Sequence, residues 1–228
     1  MTTADHPARV DDSGAGADTR PVLRGWLHAA AVTPALVATC LLAAHGRGTG
    51  QRVGLAVYAT ALGALFGVSA AFHRVRWTPA ARRRMRRADH GTIFVAIAGT
   101  YTAVAVVALR GWARPTILAV VWVGAAVGVA LRQLWLDAPK WAVATPYVVV
   151  GWCAVLVLPQ LWRGLGAEDF ALLVAGGLCF TAGAAVYAVR RPDPVPAVFG
   201  YHEVFHAFTI VGAALQFAAV AGALAHPG

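Results

Sequence analysis

The stretch Tyr201-His202-Glu203-Val204-Phe205-His206 opens an apolar run over residues 202–225, and this run decides the fold. Its length matches the ~20 residues that a helix needs to cross about 30 Å of hydrocarbon. His202 and His206 are four residues apart, so a helix places both imidazoles on one face, about one turn apart. The stretch therefore predicts a membrane-spanning helix that carries two polar side chains near its start.

Six more apolar runs precede this one in the 228-residue chain. Hydrophobic residues make up 59% of the chain and charged residues only 13%, against roughly 25% in a soluble domain. This leaves too little polar surface to cover a water-soluble globule, so we expect an all-α integral membrane protein. The sequence predicts a single seven-helix transmembrane domain over residues 21–228, with spans near 26–44, 53–73, 91–109, 115–131, 141–161, 170–189 and 202–225.

The distribution of basic residues predicts how the chain is oriented in the membrane. Residues 1–20 are polar and lack an apolar segment, so we expect a disordered cytoplasmic tail. Fourteen of the 19 Lys and Arg lie before the first span and in alternate loops near 74–89, 132–140 and 190–201. The positive-inside rule then places the N-terminus in the cytoplasm and the C-terminus outside. The Arg-rich segment 74–88 is typical of an amphipathic helix at the membrane surface.

The net charge of +9 also raises the question of nucleic-acid binding. The basic residues cluster between apolar runs, and no nucleic-acid recognition module accompanies them. Such segments are typical of contact with an anionic cytoplasmic leaflet. We therefore expect membrane lipids as partners, no nucleic acid, and a multi-pass location in the cell membrane.

The same topology brings more polar residues to the leaflet that holds the histidine pair. Ser69 and His73 lie one turn apart at the end of the second run, and Asp89 stands at the start of the third. Ionisable side chains within spans are costly and normally face a partner inside the bundle. Three neutral imidazoles are a known catalytic zinc set. We expect His73, His202 and His206 to bind zinc, with Asp89 and Ser69 as candidate catalytic residues beside an activated water.

Several other polar residues have plainer explanations. Histidines near a helix end can simply reach the headgroups, so the HxxxH spacing alone is a weak signal. Glu203 is interpreted as a helix cap or a surface carboxylate. His28, near the start of the first run, lies at the same end and is a candidate neighbour of the zinc ligands, but a lone histidine is more often structural. Tyr101 is expected to pack or to bond between helices, and the role of His90 stays open.

Longer segments around these residues resemble the hemolysin III family of bacteria, which is grouped with the progestin and adipoQ receptors. This resemblance implies seven spans with the N-terminus inside, in a bacterial plasma membrane. It also implies zinc held by His73, His202 and His206, with the family's aspartate at Asp89 and its serine at Ser69. The matching segments are 69–73, 87–94, 97–102, 146–147, 151–152 and 200–206.

The resemblance leaves three functions open. Relatives in the wider superfamily include alkaline ceramidases, which implies zinc-dependent hydrolysis of a lipid amide or ester at the cytoplasmic leaflet. The first alternative is a receptor-like or lipid-homeostasis protein in which zinc is structural. The second is a pore-forming cytolysin, as the family name suggests. A conducting path should show polar rings along several spans, and these spans are apolar outside the one cluster.

Overall fold

The computed structural model describes residues 21–226, a range that contains helices and loops but no β-strand. The predicted tail over residues 1–20 lies outside the described residues. A 3₁₀ helix over Trp152–Val157 separates the fifth α-helix from the sixth. The α-helices are α1 Trp26–Ala44, α2 Thr49–Arg74, α3 Pro79–Ala108, α4 Ala113–Leu134, α5 Lys140–Gly151, α6 Leu158–Val189 and α7 Tyr201–Ala225.

Six helical stretches in the described range are long and apolar enough to cross a membrane. Five of them are single helices, namely α1 to α4 and α7, and the sixth is the 50-residue stretch Lys140–Val189. The prediction of an all-α, multi-pass membrane protein is confirmed. Two separate spans within 141–189 and the cytoplasmic placement of the N-terminus stay predictions.

The stretch Lys140–Val189 is interrupted twice. Its first interruption is the 3₁₀ helix, and its second is Gly166, which has non-helical backbone angles of φ 74° and ψ 173° inside α6. At the first interruption the Tyr101 hydroxyl donates to the Gly151 carbonyl at 2.6 Å and accepts from the Ala154 N–H at 2.7 Å. A side chain from α3 thus satisfies backbone groups where the helix changes, which confirms a bonding role for Tyr101 between helices.

The Arg-rich segment after α2 is not a separate surface helix, so that prediction is wrong. α3 begins at Pro79, where Thr78 caps it by accepting a bond from the Ala81 N–H at 3.4 Å. The helix then runs unbroken to Ala108, and its 30 residues extend about 45 Å. The arginines therefore belong to the first turns of α3. Asp89 lies about three turns inside this helix instead of at its start.

The helix packing brings the polar ends of three helices together. α1 packs along α2 and also contacts α7, while α3 packs against α2 and α4 and reaches α7. The interior between them is filled with buried Leu, Val, Phe and Ala side chains. The end of α2 and the start of α7 consequently lie at the same end of the bundle, beside the start of α1.

Candidate metal centre

Three imidazoles meet at that end of the bundle. His73 comes from the last turn of α2, and His202 and His206 come from the first turns of α7. One ring nitrogen from each lies within 4.8 Å of the other two, and the Nε2 atoms of His73 and His202 are 3.2 Å apart. His202 and His206 are buried, and His73 is half-buried. This group is able to hold a metal ion.

The donor set is compatible with zinc. Two ligand atoms held about 2.0–2.1 Å from a tetrahedral ion lie roughly 3.3 Å apart. The 3.2 Å separation between the Nε2 atoms of His73 and His202 matches this value. Their approach is also compatible with a hydrogen bond between the two rings. The Nδ1 atoms of His202 and His206 make no hydrogen bond within residues 21–226. No hydrogen bond on the Nδ1 side therefore fixes the orientation of either ring.

A buried ion pair fixes the start of α7 and therefore the two histidines on it. Glu203 accepts a hydrogen bond from the Gly200 N–H at 2.9 Å and so caps the start of α7. The same side chain is 0% exposed and lies 2.5 Å from Arg24, measured from Oε1 to Nε. Of the two interpretations offered from the sequence, the cap is confirmed and the surface carboxylate is wrong. The Arg24 guanidinium is what makes burial of this charge tolerable.

The segment before α1 covers the outer side of His73. Its backbone is tied to a loop between α6 and α7, because the Val22 N–H donates to the Ala197 carbonyl at 3.0 Å and the Leu23 N–H to the Val198 carbonyl at 3.1 Å. Gly25 follows with φ 78°, and a Cβ added there would lie 2.7 Å from the Cβ of His73. Only glycine adopts this conformation readily and allows so close an approach.

Ser69 and Asp89 lie on the inner side of the metal centre. Ser69, one turn before His73, is 3% exposed, and Asp89 is 8% exposed. Both line the same internal cavity as His202 and His206. Residues from α2, α3 and α7 thus contribute to the lining of one cavity. The catalytic roles of Ser69 and Asp89 stay predictions.

The cavity extends away from these residues into the bundle. Its volume is about 190 Å³, many times the ~10–15 Å³ that one water molecule needs. Most of its wall is apolar, and the histidines and the aspartate in its lining are His28, Asp89, His90, His202 and His206. The apolar wall includes Leu62, Leu65, Ile97, Val104, Ile117, Leu161, Phe170, Leu173, Phe180 and Ala213.

His90 acquires a partner that the sequence did not reveal. Arg132, buried near the end of α4, has its Nη2 2.7 Å from the His90 Nδ1, and it also donates to the carbonyls of Trp135 and Leu136. A guanidinium can only donate, so the His90 Nδ1 accepts this bond. His90 also lines the cavity. The only hint in the sequence was a single arginine at the edge of an apolar run.

His28 is the residue that sequence reasoning undervalued. Its ring stacks on that of His206, with ring centroids 3.8 Å apart and an angle of 11° between the planes. From the sequence, a structural role is the favoured interpretation of His28 and a place beside the ligands is the alternative; its stacking on His206 agrees with the alternative. The signal was present, because the same topology already placed His28 at the end of the bundle that holds the other histidines.

Comparison with known proteins identifies the family of this chain. A family profile described as "Haemolysin-III related" matches residues 17–217. The chain belongs to the haemolysin III family. Among other members, Hemolysin-3 of Bacillus cereus is 27% identical over 184 residues, which cover 81% of each chain. The Hemolysin-3 homolog of Bacillus subtilis is 26% identical over 184 residues, covering 81% of this haemolysin III protein and 83% of the relative.

The family extends to animals. The human protein named monocyte to macrophage differentiation factor is 24% identical over 199 residues. The match covers 86% of this haemolysin III protein and 80% of the human one. The match to the family profile covers residues 17–217, a range that includes all three histidines.

Proposed function

We propose that this haemolysin III protein is a zinc-dependent membrane hydrolase that acts on a lipid amide or ester. The observation that carries the proposal is a group of three imidazoles, with nitrogens within 4.8 Å of one another, two of which belong to residues that line a mostly apolar cavity. A polar substrate would gain little binding free energy from an apolar cavity wall, whereas a long-chain lipid buries apolar surface against it. Its polar group would then lie beside the histidines.

In this proposal His73, His202 and His206 hold zinc. Bound zinc would supply Lewis acidity and activate a water near neutral pH. Asp89 would act as the general base at the histidine end of the cavity. The Ser69 hydroxyl donates a hydrogen bond to the carbonyl oxygen as negative charge develops there.

The proposal includes seven spans with the N-terminus in the cytoplasm. The break at Gly166 divides Lys140–Val189 into two stretches, each about as long as a bilayer-spanning helix. An odd number of spans puts the two termini on opposite sides, and the excess of Lys and Arg then favours a cytoplasmic N-terminus. The metal centre would lie at the cytoplasmic leaflet, with membrane lipids as its substrates.

A direct test uses purified protein in lipid nanodiscs with a fluorogenic long-chain acyl anilide. We expect wild type containing one zinc per chain to release the aniline. The Asp89→Asn variant should keep its zinc and lose at least about a hundredfold in rate, since general acid–base catalysis contributes about 10²–10⁴-fold. A zinc-loaded wild type that hydrolyses neither this anilide nor the corresponding ester, and is indistinguishable from Asp89→Asn, refutes the proposal.

A structural role for zinc is the second candidate, and one observation favours it. The three histidines join the end of α2 to the start of α7, so an ion held there would clamp two helices that are distant in sequence. In a receptor-like or lipid-homeostasis protein, His206→Ala would lower the unfolding free energy, and no hydrolytic activity would exist to lose. A His206→Ala variant as stable as wild type but inactive favours the hydrolase instead.

A further inference from the structure

His28 lines the cavity and holds two buried polar atoms without partners. Its side chain is 2% exposed, and neither Nδ1 nor Nε2 makes a hydrogen bond within residues 21–226. Buried polar atoms almost always have a hydrogen-bond partner, so an imidazole with two unpaired nitrogens indicates a function. His28 is also among the residues that line the cavity.

The packing of His28 determines which part of the ring can bind. One contact is the stacked ring of His206 at 3.8 Å, and another is the tilted ring of Phe66 at 5.0 Å. With aromatic neighbours packed against it, the ring offers the nitrogens on its edge for polar contacts. A neutral imidazole has one donor and one acceptor there, a set that complements an amide or an ester with a neighbouring hydroxyl.

We propose that His28 binds the polar group of the lipid that occupies the cavity, by hydrogen bonds to its amide or ester. The inference rests on the proposed function for the class of substrate and adds a residue that positions it. His28 does not belong to the three histidines whose nitrogens lie within 4.8 Å of one another. It therefore acts on the lipid and is not a zinc ligand.

The test compares His28→Phe with wild type. Phenylalanine keeps an aromatic ring against His206 and removes both nitrogens. Tyr58→Phe is the matched control, because the Tyr58 hydroxyl is also buried without a partner but does not line the cavity. The probes are hexadecanamide and 1-fluorohexadecane, which have similar chains and differ in the amide. Each displaces a fluorescent alkyl probe from zinc-loaded protein in nanodiscs.

We expect His28→Phe to bind hexadecanamide about three- to tenfold more weakly than wild type, as one lost hydrogen bond predicts. Its affinity for 1-fluorohexadecane and its zinc content should equal those of wild type. Tyr58→Phe should match wild type with both probes. Unchanged hexadecanamide binding, an equal loss of both probes, or loss of zinc in His28→Phe would each overturn the inference.

The design separates this inference from the proposed function. His28→Phe can lose affinity for hexadecanamide but not for 1-fluorohexadecane even if wild type hydrolyses neither an amide nor an ester. That result supports the His28 contact and refutes the hydrolase. If His28→Phe does not fold, the His28 imidazole ¹⁵N chemical shifts of wild type decide the matter. A change with hexadecanamide and none with 1-fluorohexadecane supports the contact, and equal responses overturn it.

Discussion

Replacing Arg24 with leucine should destabilise the protein, because it removes the countercharge from a buried carboxylate. Glu203 is 0% exposed, and its Oε1 lies 2.5 Å from the Arg24 Nε. Removing one partner of a buried ion pair costs about 3–5 kcal/mol. The Arg24 side chain is 12% exposed and the Gly200 N–H still reaches the carboxylate, so we expect about 3 kcal/mol, at the low end of that range.

The assay is unfolding of the zinc-free protein by SDS titration in mixed micelles, which isolates the ion pair from the metal. Glu203→Gln keeps an oxygen for the Gly200 cap and removes the charge. The double variant that combines Arg24→Leu with Glu203→Gln should therefore be about 1–2 kcal/mol more stable than Arg24→Leu alone, since residues in contact are coupled by about 0.5–3 kcal/mol. Arg76→Leu is the control, because Arg76 is exposed at the same end of the bundle.

The expected change for the control is within about 0.5 kcal/mol of wild type. An Arg24→Leu variant that is equally unaffected, or a double-variant cycle without coupling, would refute the reasoning. It would mean that the ion pair does not hold the first turn of α7, and hence does not position His202 and His206.

Three further predictions concern the metal, the covering segment and the break after α5. Chelating zinc from wild type should lower the thermal midpoint of unfolding, because a ligand at about 1,000 times its Kd stabilises a protein by about 4 kcal/mol. The midpoint of His206→Ala should not respond to the chelator. An equal response in both proteins would contradict the site. Gly25→Ala should lower the free energy of unfolding more than Gly111→Ala does. Both glycines have positive φ, but only a Cβ added at Gly25 would lie within 4 Å of a neighbour such as His73. Equal losses would show that the close approach is unimportant. Tyr101→Phe should cost about 1–3 kcal/mol by leaving backbone groups at the break unpaired, and an unchanged SDS midpoint would contradict that role.

The helices and the histidine group were accessible from sequence because each depends on a simple constraint. A bilayer requires about 20 apolar residues per span, so the runs marked α1, α2, α4 and α7 within a few residues. Alternation of loops across the membrane then placed Ser69, His73, Asp89 and the α7 histidines at one end. No side-chain geometry was needed for that step.

What the sequence could not supply depended on contacts between distant positions. The burial of Glu203 depends on Arg24, 179 residues earlier in the chain. The 3₁₀ segment after α5 is bonded to Tyr101, from another helix. The hydropathy pattern along a chain contains no information about contacts between distant residues. It therefore left a surface position possible for Glu203.

The start of α3 shows a different failure. The arginines of 82–87 were read as a surface segment because charge interrupts an apolar run. A helix can nevertheless continue past the hydrocarbon boundary, and α3 does so for about three turns before Asp89. His28 was undervalued for a related reason, since its importance lies in stacking on His206, which spacing along the chain does not express.

The central claim is that His73, His202 and His206 hold zinc beside the cavity. The most direct measurement is anomalous scattering from crystals of the wild-type protein, recorded on both sides of the zinc absorption edge. The account predicts one peak per chain that appears above the edge only, about 2.0–2.1 Å from one ring nitrogen of each histidine. A peak bound by other residues, or none in protein purified with zinc, would contradict it.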